Sequence, residues 1–303
     1  MLFHPSLIPL FKLIYPIQEP NRTRDRPLEV LALGLPRSGT DSLRKALKLL
    51  GYDECYHGHL FFFDQVGDGP QWARLAWRKY HTDPSTSLSD RGLDAVEFDR
   101  ILGNCRALTD MPCIGFACEL VRAYPEAKIV INRRDDVEAW YQSVLNSFDG
   151  PNVPEGFSRW RRCIFERELF WMKAGRDAGW GHTTGYDFLR NGRDVYHSYY
   201  AELEQLLESE RDAGRERKVL KWQVQDGWES LAAFLDEALP LKANGELMPF
   251  PHGNDSKSFI DMKAAKIAEK VKRAEQRKLA LLFGVSTLAV ILSTVFWRHR
   301  SSR

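Results

Sequence analysis

The segment LEVLALGLPRSGTDSLRKALKLLG, at residues 28–51, constrains the fold of this chain more than any other. The apolar run Leu28–Leu33 is typical of a short buried strand. Apolar residues then recur at helical spacing from Leu43 to Leu50, and Gly51 can end that helix. The sequence therefore predicts a strand, a tight glycine turn and a helix in direct succession.

The turn has the spacing of a phosphate-binding loop but lacks the lysine of one. Gly34 and Gly39 are spaced as in G-x-x-x-x-G-K-[ST], yet Thr40 stands at the lysine position, and the nearest cation is Arg37. Glycines let successive backbone N–H groups converge on an anion, and the positive end of the helix adds to them. With a guanidinium, this set suits a phosphate or phosphosulfate rather than a Mg²⁺-bound triphosphate. The alternative is a plain strand–turn–helix corner. The predicted anion-binding residues are Pro36, Arg37, Ser38, Gly39, Thr40, Asp41 and Ser42.

Three further strands are predicted after this loop, with helical segments between them, at 106–112, 127–134 and 219–224. This alternation predicts an α/β fold of three layers, in which helices cover both faces of a mostly parallel sheet. Ligands of such sheets bind at the carboxyl ends of the strands. Asp110 ends one predicted strand, and Arg133 and Arg134 end the next. These arginines are candidates for a second anion contact, unless they only pair with Asp135 and Asp136.

The composition argues against several classes of protein. The chain has 303 residues, of which 43 are basic and 41 acidic, and this balance gives no reason to expect a nucleic-acid partner. Its five cysteines are too few and too scattered for a disulfide framework or a metal site. Free thiols of this kind are typical of a reducing compartment. No second cysteine pair stands at metal-binding spacing, and no metal is expected.

The two ends of the chain are apolar in different ways. Residues 279–297 carry no charge over 19 positions, and a helix of that length spans roughly 28 Å, close to the core of a bilayer. We expect a C-terminal transmembrane helix, with the bilayer as partner and the body in the cytosol, because the denser basic flank precedes the span. The Pro-rich start can lie on a membrane surface or pack on the body, and we favour packing. The predicted units are 1–27 (lead-in), 28–256 (α/β domain), 257–278 (charged helical linker), 279–297 (span) and 298–303 (basic tail).

Several motifs, taken in order, resemble those of the sulfotransferases, which use 3′-phosphoadenosine 5′-phosphosulfate. The turn GLPRSGT resembles their 5′-phosphosulfate loop, and KIVINRR followed by a helical Ser143 resembles their 3′-phosphate site. ALTDMP resembles the strand that carries their general base, with Asp110 where those enzymes have histidine. DGWESLAAFL and PFPHGNDSKSF look like a sulfotransferase-like group abundant in fungi, which also has a histidine at the position of His57. The likeness runs from about residue 28 to residue 259.

The resemblance implies a role for each matching residue. Arg37 would contact the leaving phosphate and the moving sulfuryl group, and Arg133 or Arg134 would bind the 3′-phosphate with Ser143. Asp110, with His57, would orient or deprotonate the acceptor. The spacing from Arg134 to Ser143 is one residue longer than in the usual signature, so which arginine meets the 3′-phosphate stays open. A carboxylate of ordinary pKa is a weak base, so Asp110 would need a raised pKa.

The sequence thus predicts a membrane-anchored transferase that moves a sulfuryl group to a hydroxyl or amine of a small metabolite, of the kind made in secondary metabolism. That acceptor would be lipophilic if the aromatic-rich segments 59–80 and 157–180 wall its pocket. Two other classes stay open. One is a binding or scaffold protein that keeps the fold without catalysis. The other is a P-loop nucleotide kinase or NTPase, which the missing lysine disfavours.

Overall fold

Five parallel strands form the central sheet in a computed structural model, which describes residues 4–149, 165–252 and 268–280. The strands are β1 (Val30–Ala32), β2 (Cys55–Tyr56), β3 (Ala107–Thr109), β4 (Lys128–Asn132) and β5 (Val219–Trp222). Their spatial order is β2-β3-β1-β4-β5. The four predicted strands are confirmed. Strand β2 has no counterpart among them, because two residues are too few to show a periodicity.

The central position of β1 brings three strand ends together. Leu31 of β1 pairs with Leu108 of β3 on one side and with Ile129 of β4 on the other. All three strands run in the same direction, so the segments that follow them meet at one edge of the sheet.

The α-helices are α1 (Ile8–Ile14), α2 (Thr40–Leu49), α3 (Gly58–Phe63), α4 (Gly69–His81), α5 (Leu88–Arg91), α6 (Ala95–Leu102), α7 (Ala117–Ala123), α8 (Val137–Val144), α9 (Arg167–Arg176), α10 (Phe188–Asp212) and α11 (Gly227–Leu235). Residues 268–280 are also helical. The long helix predicted near 186–213 is therefore confirmed as α10.

Helices cover both faces of the sheet, as expected for three layers. Successive strand side chains point to opposite faces. Leu31, Leu108 and Ile129 belong to a core that includes residues of α4, α6, α7, α8 and α10. Val30 and Val130 belong to a second core, with residues of α2 and α11. The predicted α/β architecture with a parallel sheet is therefore confirmed for the described part of the chain.

The N-terminal lead-in packs on the body, as favoured above. Ile8 is buried, and the rings of Phe11 and Tyr15 lie 5.3 and 4.1 Å from that of Phe170 on α9. Ala274, from the helix at 268–280, is buried in the same hydrophobic cluster. Both ends of the described chain thus pack beside α9.

Among the residues described here, no helix is both long and apolar enough to cross a membrane. Apart from its first two residues, the predicted span at 279–297 lies outside the described residues, as do the basic tail and residues 257–267 of the predicted linker. The transmembrane helix therefore stays a prediction.

Candidate active site

The glycine turn after β1 is a tight loop that leads directly into α2. Its backbone enters the left-handed region twice, at Arg37 with φ 70° and at Gly39 with φ 83°. For a residue with a Cβ this conformation costs roughly 1–2 kcal/mol. Helix α2 begins at Thr40, immediately after this reversal. The strained backbone of Arg37 thus lies next to the start of α2, where an anion would bind, and strain of this kind is found at functional sites.

Asn132, the last residue of β4, fastens the loop to the sheet. It is fully buried, and its Oδ1 accepts a hydrogen bond from the Gly34 N–H at 2.9 Å. Its Nδ2 donates to the Ser38 carbonyl and hydroxyl oxygens at 3.2 and 3.0 Å. A Cβ at Gly34 would lie 2.1 Å from that Nδ2, so only glycine fits this approach. Sequence reasoning missed Asn132, although a lone polar residue at the end of the apolar run KIVIN was a signal.

Replacing Asn132 by leucine is expected to lower the free energy of unfolding by about 2–4 kcal/mol, because it leaves buried groups of Gly34 and Ser38 without partners. Urea denaturation measures this loss, and hydrogen exchange of residues 34–39 should accelerate with it. The matched control is Asn191→Leu, which removes one side-chain bond, from Nδ2 to the Thr184 carbonyl. Equal losses in both variants, with unchanged exchange in the loop, would contradict this role.

Two aromatic side chains, those of Trp140 and Tyr200, form hydrogen bonds with the loop backbone. The Trp140 indole donates to the Pro36 carbonyl at 2.8 Å. The Tyr200 hydroxyl accepts from the Leu35 N–H at 3.2 Å and donates to the Asn132 carbonyl at 2.9 Å. By contrast, the amides of Gly39, Thr40 and Asp41 have no acceptor within the described ranges. These three N–H groups, at the positive end of α2, are available to an anion.

The side chains of Ser38 and Asp41, which the sequence predicts to bind the anion, instead bind other groups of the protein. The Ser38 hydroxyl donates to the Leu35 carbonyl at 2.5 Å, so it secures the loop itself. The Asp41 carboxylate binds Arg44 and Lys45 at 2.8 and 2.9 Å. Burial opposes ionisation of Asp41, but interactions with His57, Arg44 and Lys45 outweigh it and hold its pKa at about 2. Asp41 therefore offers an anion its amide, not its side chain.

Arg37 and Ser143 meet directly. The Arg37 Nε donates to the Oγ of Ser143, which lies on α8, at 3.1 Å. The resemblance placed Ser143 with Arg133 or Arg134, whereas the structure places it beside the loop arginine. This contact orients the guanidinium.

The two arginines after β4 are not neutralised by the acids next to them. The Asp135 carboxylate accepts from Gln223, and that of Asp136 caps α8 by accepting from the Ala139 N–H. Arg133 lies 3.9 Å from Glu204. The guanidinium of Arg134 is exposed and has no acceptor in the described portion of the chain. Arg134 is therefore the more available of the two for a phosphate.

Asp110 and His57 form a buried pair at the same edge of the sheet. Asp110 follows β3 with a left-handed φ of 66°, and His57 precedes α3. The His57 Nε2 lies 3.4 Å from the Asp110 Oδ2. A Cβ at Gly58 would lie 2.7 Å from that same oxygen, so glycine allows the carboxylate to approach.

Burial sets the protonation of this pair. It raises the pKa of Asp110 to about 7, although the Met111 amide and the charge of Arg37 oppose the rise. Burial, with the charge of Arg44, lowers the pKa of His57 to about 3, so the imidazole is neutral near pH 7. The His57 Nδ1 accepts from the His59 N–H at 2.8 Å, which assigns the ring proton to Nε2, facing Asp110.

Two atoms of this pair lack hydrogen-bond partners. The His57 Nε2 and the Asp110 Oδ1 are both buried, and neither is bonded to any described residue. Buried polar atoms without partners are rare, and at a sheet edge they mark a place for a ligand group. A hydroxyl or amine could donate to the carboxylate oxygen and accept from the imidazole N–H. The arrangement thus combines an anion-binding loop with a base of pKa near neutrality.

No group of three or more His, Cys, Asp or Glu side chains that could hold a metal ion occurs among residues 4–149, 165–252 and 268–280.

The chain is similar to a known family and to a curated relative. The model of the family described as "Sulfotransferase domain" matches residues 29–259. A protein of Aspergillus versicolor described as "Ava biosynthesis cluster protein M" is 28% identical over 235 residues, which cover 74% of this chain and 80% of that protein. The family match spans the sheet and all the candidate site residues.

Proposed function

The chain belongs to the sulfotransferase domain family, and from this we propose that it moves a sulfuryl group from 3′-phosphoadenosine 5′-phosphosulfate to a hydroxyl or amine of a small metabolite. The observation that carries the proposal is the Asp110–His57 pair. Its two unpartnered buried atoms lie at the sheet edge that holds the loop arginine. That combination provides a place for an acceptor next to a place for an anionic donor.

The residues of the loop fit the donor. The amides of Gly39, Thr40 and Asp41 and the guanidinium of Arg37 offer several donors to a 5′-phosphosulfate group. When bound, the donor supplies an activated sulfuryl group whose leaving group is a phosphate. Arg37 would offset the negative charge that develops on that phosphate. Arg134, exposed and unpaired within the described residues, would bind the 3′-phosphate.

Asp110 and His57 would act on the acceptor. A carboxyl with a pKa of about 7 is a far better proton acceptor near neutral pH than one of ordinary pKa. Asp110 would take the proton of the attacking hydroxyl or amine at its Oδ1. Neutral His57, with its proton on Nε2, would donate a hydrogen bond to the same group and so orient it.

We expect the full-length chain, purified in detergent, to bind 3′-phosphoadenosine 5′-phosphate in titration calorimetry. It should also transfer radiolabelled sulfuryl groups to members of a panel of phenols, alcohols and amines. Binding without transfer to any of them would favour the non-catalytic binding protein. ATP binding that requires Mg²⁺, with no binding of the sulfotransferase product, would favour a nucleotide kinase or NTPase instead.

The setting of the reaction is a second part of the proposal. The uncharged residues 279–297 and the basic residues before them would anchor the chain in a membrane, with its body in the cytosol. The printed name of the Aspergillus versicolor relative refers to a biosynthesis cluster. That name supports an acceptor made in secondary metabolism.

A further inference from the structure

Helix α1 has an exposed apolar face. While Ile8 and Phe11 pack against the body, four side chains around them stay in solvent. They share one side of the helix at spacings of three, six and seven positions. They are Leu7, Leu10, Leu13 and Ile14, with 41, 51, 80 and 55% of their surface exposed. Exposed leucine is common singly, but three such side chains on a seven-residue helix, with a fourth at its N-cap Leu7, indicate a contact surface.

The helix at 268–280 packs into the same hydrophobic cluster as α1. Val271 and Ala274 lie in the same hydrophobic cluster as Ile8 and Phe11. Its position on the body is fixed by ion pairs from Lys270 to Glu168 and from Arg273 to Glu166 and Glu168. From Ala274 to residue 280 a helix rises about 9 Å. The uncharged sequence up to Trp297 therefore begins within about 9 Å, along the helix axis, of the cluster that holds Ile8 and Phe11.

Cations lie on the helix at 268–280, near the start of the uncharged sequence, and on α1. Lys272, Arg277 and Lys278 are exposed on the helix at 268–280, and Lys12 lies on α1. Lys278 is 3.6 Å from Glu275, and Lys12 is 2.8 Å from Glu19, so both are partly offset, whereas the other two add positive charge. Apolar side chains beside exposed cations suit the interface of an anionic lipid leaflet.

We propose that the exposed face of α1 lies in the lipid surface, as a second membrane contact beside the C-terminal anchor. This inference rests on the proposed membrane attachment. A second protein is a poorer occupant, because a stable protein interface takes about 20 residues a side and this face has four. The contact would hold the body against the bilayer in one orientation.

The test uses the full chain in phosphatidylcholine vesicles that contain phosphatidylserine. In a background with Cys118→Ser and Cys163→Ser, the buried Cys55, Cys105 and Cys113 remain. An environment-sensitive fluorophore is attached to Leu13→Cys. The matched control is Val96→Cys, which replaces another exposed apolar residue, 69% exposed on α6. A third variant, Val290→Cys, reports on the anchor.

The label at 13 should shift to the blue and lose emission about twofold or more to nitroxide lipids, because an interfacial helix buries its apolar face about 5–10 Å deep. The label at 96 should keep its aqueous spectrum. Quenching at 290 but not at 13 would overturn this inference and leave the anchor standing. No quenching at 290 or 13 would overturn both. A blue shift at 13 without quenching by lipid would indicate cover by protein and would also overturn the inference.

Discussion

Replacing Asp110 by asparagine should lower sulfuryl transfer by about a hundredfold or more, while it makes the protein more stable at alkaline pH. The loss is expected because asparagine cannot accept a proton, and general base catalysis contributes about 10²–10⁴-fold. The gain is expected because burial makes ionisation of Asp110 costly to the folded state.

The sign of the pH dependence follows from the direction of the pKa change. The folded carboxyl binds its proton more tightly than the unfolded one, so its stabilising effect is complete below about pH 4. It is lost as the pH rises to about 7. The rise from the ordinary value of 3.8 to about 7 corresponds to about 4 kcal/mol. The advantage of Asp110→Asn over the wild type should therefore be about 2–3 kcal/mol larger at pH 8 than at pH 5.

Urea denaturation of both proteins at the two pH values measures this difference in stability. Initial rates of transfer by the wild type over the same pH range should rise near pH 7, as Asp110 loses its proton. Glu210→Gln is the matched control, since Glu210 is also buried but its ion pair with Arg215, at 2.9 Å, lowers its pKa. Breaking that ion pair should destabilise the protein. If Asp110→Asn retained full transfer, the base would have to be another group.

The sheet could be predicted from sequence because its strands are continuous apolar runs that end in polar residues. LEVLAL and KIVIN contain β1 and β4, and the glycine turn identifies the strand–loop–helix corner. Strand β2 was missed because Cys55 and Tyr56 are ordered by pairing with β3, a contact that no local pattern encodes.

The candidate site was only partly predictable. Strand ends located Arg37, Asp110 and Arg134 at one edge, since parallel strands share their carboxyl ends. The roles of Ser38 and Asn132 depend on a contact between β4 and the loop, which are 94 residues apart. The left-handed backbone at Arg37 and Asp110 gave no signal either, because neither residue type favours it as glycine does.

The contact of Ser143 with Arg37 is a further feature that the sequence alone does not predict. The resemblance places Ser143 in the second signature, at a spacing from Arg134 one residue longer than usual, but spacing does not say which way the side chain points from α8. Asp136 caps that helix, and the cap fixes the helical phase that brings Ser143 to Arg37. Family spacing and side-chain geometry thus assign the same serine to two different phosphates.

Replacing Arg37 by alanine is expected to weaken binding of 3′-phosphoadenosine 5′-phosphate at least about tenfold and to lower the transfer rate by about 10²–10³-fold, the range for loss of one transition-state donor. Alanine also has a Cβ, so the left-handed backbone strain at φ 70° stays and the effect reports on the guanidinium. Arg211→Ala is the control, because Arg211 is exposed in the last turn of α10. It should bind and react like the wild type.

A double-mutant cycle with Ser143→Ala then decides how Ser143 acts. If Ser143 works by orienting Arg37, through the 3.1 Å hydrogen bond, its substitution should have almost no further effect in the Arg37→Ala background. If Ser143 instead binds the 3′-phosphate, the two losses should add, and Ser143→Ala should discriminate less between ligands with and without that phosphate. Calorimetry of the four proteins with adenosine 5′-phosphate and 3′-phosphoadenosine 5′-phosphate, which differ only in the 3′-phosphate, measures both quantities. Full affinity in Arg37→Ala would remove the loop arginine from the site and with it the proposed phosphosulfate contact.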